Sequence, residues 1–107
     1  MSKFLVQAAY TADGLRGVQK DKASGRRDAV TKAVQSLDGR IEALYAAFGE
    51  HDVIMIVDLP DALCAAALSV TASASGMMRT TVTPLLTVEE MDRALAKTPS
   101  YRPPGAA

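Results

Sequence analysis

Two apolar stretches meet at Phe48-Gly49-Glu50-His51-Asp52, and no other feature restricts the fold as tightly. Ile41-Glu42-Ala43-Leu44-Tyr45-Ala46-Ala47-Phe48 runs into this junction, and Val53-Ile54-Met55-Ile56-Val57 runs out of it. Strands joined by so short a connection pair antiparallel. Gly49 supplies the backbone freedom that a tight reversal needs. The one histidine of the chain, His51, sits in that turn with an acid on either side.

The flanking segments complete a pattern. Phe4 to Tyr10 reads as a first strand, with Phe4, Val6, Ala8 and Tyr10 on one face and Leu5, Gln7 and Ala9 on the other. A turn at Thr11-Ala12-Asp13-Gly14 leads into a helix to about Leu37, with Thr11 or Asp13 as its cap. Leu15 and Val18, then Val30, Ala33, Val34 and Leu37, mark its buried stripe. Ser24-Gly25, between the basic pairs Lys20/Lys22 and Arg26/Arg27, predicts a kink. Asp38-Gly39 ends this helix. Leu59-Pro60-Asp61 stops the hairpin and opens a second helix, with proline in its first turn. Leu63, Ala66, Ala67, Val70 and Ala74 form the expected apolar side of that helix, and Gly76 closes it. Met77 to Leu86 reads as a fourth strand. Thr87-Val88-Glu89-Glu90 is a capping box for a short terminal helix.

The order strand, helix, strand, strand, helix, strand is the split βαβ arrangement. It predicts an α+β, ferredoxin-like βαββαβ fold: a four-stranded antiparallel sheet with both helices on one face, plus the C-terminal helix. Residues 1–97 form this one domain. Residues 98–107, with three prolines and a Gly-Ala-Ala end, form a flexible tail. Leu5 and Ala9 behind Phe4 and Val6, and the unbroken run Val53 to Val57, give strands that are apolar on both faces. Burying such surface is favourable by about 25 cal/mol for each Å². A second copy of the chain is the simplest cover, so the expected partner is the protein itself, as a homodimer or higher oligomer through the sheet face.

Composition narrows the partners. Twelve basic and twelve acidic residues balance, so no field recruits nucleic acid or an anionic membrane. No apolar run is long enough for a membrane span or signal peptide. The single cysteine, Cys64, excludes an intramolecular disulfide, which fits a reducing cytoplasmic setting. It reads as a small core residue.

The turn Gly49-Glu50-His51-Asp52 before a strand ending in Asp58-Leu59-Pro60-Asp61 resembles the GYD-domain family. Tyr10-Thr11 with Gly14, Ser24-x-x-Arg27 and Arg79-Thr80 agree with it, and the likeness runs from about Phe4 to Leu95. The resemblance implies a ferredoxin-like domain related to the dimeric α/β-barrel proteins, with no settled biochemical activity. Here the family's turn tyrosine is replaced by His51, while Gly49 and Asp52 match.

Several residues are candidates for chemistry. Because an imidazole side chain can exchange protons near neutral pH, His51 can serve as a base or a metal ligand, or stay an exposed turn residue. One histidine with no nearby cysteine cannot fill a tetrahedral zinc site from one chain, though a site shared across a symmetric interface could, and no metal is assigned. Asp52 and Gly49 read as structural turn residues, Asp52 by accepting backbone hydrogen bonds. Tyr10, Tyr45 and Arg79 are candidate ligand contacts on strands, in a cavity between the sheet and its partner. Arg27 joins them if the second helical segment opens at Ser24, against the plainer reading of a solvated basic face. Two further readings stand beside a ligand-binding or regulatory protein of undetermined ligand. One is a cofactor-independent isomerase or monooxygenase of the kind the resemblance suggests, with His51 as base and Tyr45 or Arg79 stabilising charge. The other is a structural assembly subunit. Whether the protein is an enzyme, and whether it takes a cofactor, stays open at this point.

Overall fold

The computed structural model describes residues 1–106. Its elements run β1 (Ser2–Tyr10), α1 (Ala12–Ser36), β2 (Arg40–Ala46), β3 (Val53–Leu59), α2 (Ala62–Ala74), β4 (Met78–Leu85) and α3 (Val88–Leu95). The four strands form one sheet in the order β2-β3-β1-β4, with every neighbouring pair antiparallel. This is the ferredoxin-like α+β arrangement with an added terminal helix.

Alternation along the strands decides which side is buried. Phe4 pairs with Val57, and Val6 with both Met55 and Val82. These side chains pack with Val34 of α1 and Ala65 of α2 into the core, and Val34, Val57 and Leu59 are fully buried. The opposite face carries Leu5, Ala9, Ile54 and Ile56, all half-buried. A register shift between Ile41 and Ala43 lets Ile41 pair with Val57 and Leu44 with Met55, so both reach the helix-covered side.

Near one end of the opposite face, a row of charges crosses three strands. Asp58, 5% exposed, receives Lys3 Nζ on Oδ1 at 2.9 Å and Arg40 Nη2 on Oδ2 at 2.7 Å. Glu42 takes a second bond from Lys3 at 2.9 Å. Both oxygens of the buried carboxylate are thereby satisfied.

The start of α1 is clamped to the α2–β4 connection. Thr11 caps α1 by accepting from the Gly14 N–H, while its own hydroxyl donates to the Gly76 carbonyl at 3.1 Å. Its N–H donates to the Met77 carbonyl at 2.9 Å. Gly14 is buried there, and a Cβ at this position would lie 1.9 Å from the Met77 carbonyl oxygen. Only glycine fits. Gly76 ends the α2 connection at φ +75, a conformation that favours glycine.

Four details differ from the sequence-based expectations. The break in α1 falls at Lys22, with φ 68 and ψ 165, ahead of Ser24-Gly25. Pro60 lies outside α2, whose cap is Asp61, accepting from the Cys64 N–H at 2.9 Å. The apolar side assigned to α2 is the wrong one: Leu63 is 79% and Val70 68% exposed. Cys64, Ala65 and Leu68 face the core instead. Leu15 is likewise exposed, whereas Val30, Val34 and Leu37 pack as expected.

The capping box of α3 is present, with the Glu90 N–H donating to Thr87 Oγ1 at 3.1 Å and the Thr87 N–H to Glu90 Oε1 at 2.9 Å. The helix nonetheless buries none of its residues, and Val88, Met91 and Leu95 make an exposed apolar stripe on it. The radius of gyration is 17.0 Å. A compact chain of this length would have about 13 Å.

Candidate functional site

The break at Lys22 makes α1 two helical segments, and two half-open cavities lie beside it. The first, about 480 Å³, lies between α1, α2 and the sheet. Its apolar wall is Val6, Ala8, Val30, Ala33, Met55 and Leu68. The second, about 460 Å³, lies between α1 and the end of the β2–β3 hairpin, against Leu15, Leu44, Phe48 and Val53. Tyr10, Val18, Arg26, Val30 and Val53 border both, so the two are adjoining lobes of one cleft. Cavities of a few hundred Å³ with mostly apolar walls and few polar groups are the usual form of small-molecule sites.

The candidate residues separate. Tyr10, Tyr45, Arg27 and Asp52 all border the second lobe. Tyr45 does so from the rim: it is 70% exposed, and it pairs with Ile54, so its register places it on the sheet face away from the helices. Arg79 pairs with Ala9 on that same far face and borders neither lobe. His51 is half-buried in the hairpin turn and also borders neither. The cleft thus lies on the helix side of the sheet, and Tyr10 and Arg79, one residue apart in β-register, project from opposite sides.

Asp52 occupies the hinge of the hairpin. Its carboxylate Oδ2 accepts from the Tyr10 N–H at 2.8 Å, its N–H donates to the Ala8 carbonyl at 2.8 Å, and its carbonyl accepts from the Ala47 N–H at 2.8 Å. Gly49 is exposed; its φ lies outside the left-handed region, and an added Cβ would meet nothing within 4 Å. The connection between the strands is long enough, at Ala47–Asp52, that the reversal does not require glycine.

Arg26 is the residue that charge-based reading passed over. It borders both lobes, and its Nε is buried with no hydrogen-bond partner among the described residues. Arg26, Val30, Ala33 and Leu37 recur at helical spacing, so the position of Arg26 within the buried stripe was the available signal. Three other polar groups beside the first lobe are committed elsewhere. Ser69 and Thr80 share a hydrogen bond of 2.7 Å between α2 and β4, and Asp13 is paired with Arg16.

Cys64 is half-buried, and burial first, then Asp61, pushes its thiol above the ordinary value. A thiol held in the neutral form is a poor nucleophile. Among the described residues no group of three or more His, Cys, Asp or Glu could hold a metal ion, and no helix is long and apolar enough to cross a membrane.

The family model for the GYD domain matches residues 4–95. The chain belongs to the GYD domain family. A comparison with curated proteins gives no match.

Within this GYD domain the residues that carry the resemblance have physical roles in the fold. Thr11 and Gly14 form the clamp on Gly76 and Met77. Asp52 ties the hairpin turn to β1. Asp58 anchors the charge row, and Asp61 caps α2. Each of these is a fold-defining contact, whereas the cleft is bordered by Arg26 and Arg27 just beyond the break in α1.

Proposed function

We propose that this GYD domain is a non-catalytic or regulatory small-molecule-binding protein, with its ligand in the cleft beside the broken helix. The observation that carries the reading is the cleft itself: two adjoining apolar lobes of about 480 and 460 Å³, bordered by Arg26, whose Nε has no partner among the described residues. Reactive groups do not converge there. His51, the base named for the enzyme reading, borders neither lobe, and the Cys64 thiol is held neutral, so the binding reading is favoured.

The proposal includes self-association. Leu5, Ala9, Ile54 and Ile56 give the sheet a second apolar face, and a second copy of the chain, packed face to face about a two-fold axis, is its proposed cover. The balanced net charge offers little repulsion between copies. A free thiol at Cys64 suits a cytoplasmic setting.

Thermal-shift screening of the purified full chain against a metabolite library tests the binding reading. At least one compound should raise the melting temperature in a concentration-dependent way. A complete absence of stabilising compounds overturns it. Light scattering at micromolar concentration tests the assembly: a dimer or larger is expected, and a monomer removes the sheet-face contact.

A further inference from the structure

We propose that the cleft takes an amphiphilic monocarboxylate, with its carboxylate on Arg26 and its hydrocarbon body in the lobe between α1, α2 and the sheet. The inference rests on the small-molecule-binding reading above and adds the chemical class of the ligand.

A guanidinium stays charged at every accessible pH, so a buried N–H of Arg26 without a partner is an unmet demand for an acceptor. Among the described residues Arg26 forms no ion pair, whereas Arg16, Arg27 and Arg40 each face an aspartate. Ser69 and Thr80 are closed on one another, and among the described residues no lining hydroxyl bonds to Arg26. Asp21, the unpaired carboxylate beside the lobe, is exposed and makes no bond to Arg26 among the described residues, so the buried N–H is open to an acceptor from outside the chain. Arginine's planar fork matches a carboxylate, which meets it with two parallel bonds.

The rest of the lobe sets the body of the ligand. Against Val6, Ala8, Val30, Ala33, Met55 and Leu68 a sugar or other polyhydroxylated ligand would lose hydration that this wall does not replace. An alkyl or aryl chain loses nothing there. Charge limits the head as well. Asp13 and Asp21 also border this lobe, Asp13 engaged by Arg16 and Asp21 exposed. A doubly charged phosphate monoester would face one arginine against these acids, whereas a single carboxylate balances Arg26 alone.

Octanoate and 1-octanol separate head from body in the test. They are titrated into the full chain carrying ¹³C-methyl methionine. Met55 borders the lobe and is buried, whereas Met91 lies exposed on α3 and serves as the internal reference. Octanoate should move the Met55 methyl signal and leave Met91 in place, and 1-octanol should need about tenfold higher concentration for the same change. Arg26→Gln should weaken octanoate binding by about tenfold or more, while Lys32→Gln, the same loss of charge on an exposed position of α1, leaves it unchanged. Equal binding of octanoate to folded Arg26→Gln, or equal potency of the alcohol, overturns the carboxylate anchor while the binding reading survives on its library screen. If Arg26→Gln does not fold, Arg26→Lys and the acid–alcohol comparison on the natural chain decide. A Met55 signal unmoved by either compound overturns the placement of the ligand.

Discussion

The Asp52 carboxylate accepts a 2.8 Å hydrogen bond from the Tyr10 backbone N–H, so a side chain of the hairpin turn holds the last residue of β1. Tyr10 is also the point where the sheet passes into α1 and where both lobes of the cleft begin. Asp52→Ala leaves this N–H without its acceptor and should lower stability by about 2 kcal/mol. Asp52→Asn retains an oxygen in place and should recover most of the loss. Urea denaturation followed by circular dichroism measures both, and equal stability of Asp52→Ala and the natural chain would remove Asp52 from its structural role.

Gly14 and Gly17 lie one helical turn apart and should respond to alanine in opposite directions. At Gly14 the new methyl would meet the Met77 carbonyl oxygen at 1.9 Å, and relief requires moving backbone, so Gly14→Ala should cost about 1–3 kcal/mol. At Gly17 it meets nothing within 4 Å, and Gly17→Ala should gain about 0.5–1 kcal/mol from helix propensity. The same denaturation experiment reads both.

Asp58→Ala should destabilise by about 2 kcal/mol, because Lys3 and Arg40 then lose the acceptor that joins β1 to β2 across β3. The Lys3 partner position makes a second variant informative. Lys3→Met removes one of the two cations and should cost less than Asp58→Ala, since Arg40 still satisfies one carboxylate oxygen.

The caps give the protein an acid limit. The Cys64 N–H holds the Asp61 carboxyl below its ordinary 3.8, and the Thr87 N–H holds Glu90 below its ordinary 4.5. A carboxyl depressed on folding contributes stability that is present above its unfolded value and is lost as pH falls through its folded value. Helix content should therefore hold at pH 5 and fall on acidification below about pH 4. Lys3 has the opposite sense: Glu42 and Asp58 raise it above 10.5, so its contribution is complete below that value and fades as pH climbs through the folded one. A circular dichroism titration from both sides checks the two signs. Asp61→Asn should flatten the acid arm by removing one of its two carboxyls.

Cys64 should react slowly with iodoacetamide at pH 7, because burial and Asp61 keep its thiol protonated. Unfolding in urea should accelerate the reaction by exposing it. Equal rates in the folded and unfolded chain would show that neither influence acts.

The topology was readable because its signals are local and agree: alternation in β1, the apolar runs around the hairpin, and the caps at Thr11 and Thr87. The orientation of α2 was not, because Leu63/Val70 and Cys64/Leu68 are two apolar stripes on one alanine-rich helix, and only the sheet chooses between them. Glycine and serine drew the expected kink to Ser24-Gly25, whereas the left-handed residue is Lys22, which carries no compositional mark. The cleft was harder still. Tyr10 and Arg27 border it, but Arg26 is distinguished from its basic neighbours only by helical phase, and the separation of Arg79 from Tyr10 depends on the faces of neighbouring register positions.

α3 buries none of its residues, and the molecule measures 59 × 31 × 22 Å. Elution from a gel-filtration column follows hydrodynamic size rather than mass. A lone chain of these proportions would leave the column early, among heavier globular standards, and could pass for a dimer. Subunit number in this protein has to be counted by weight.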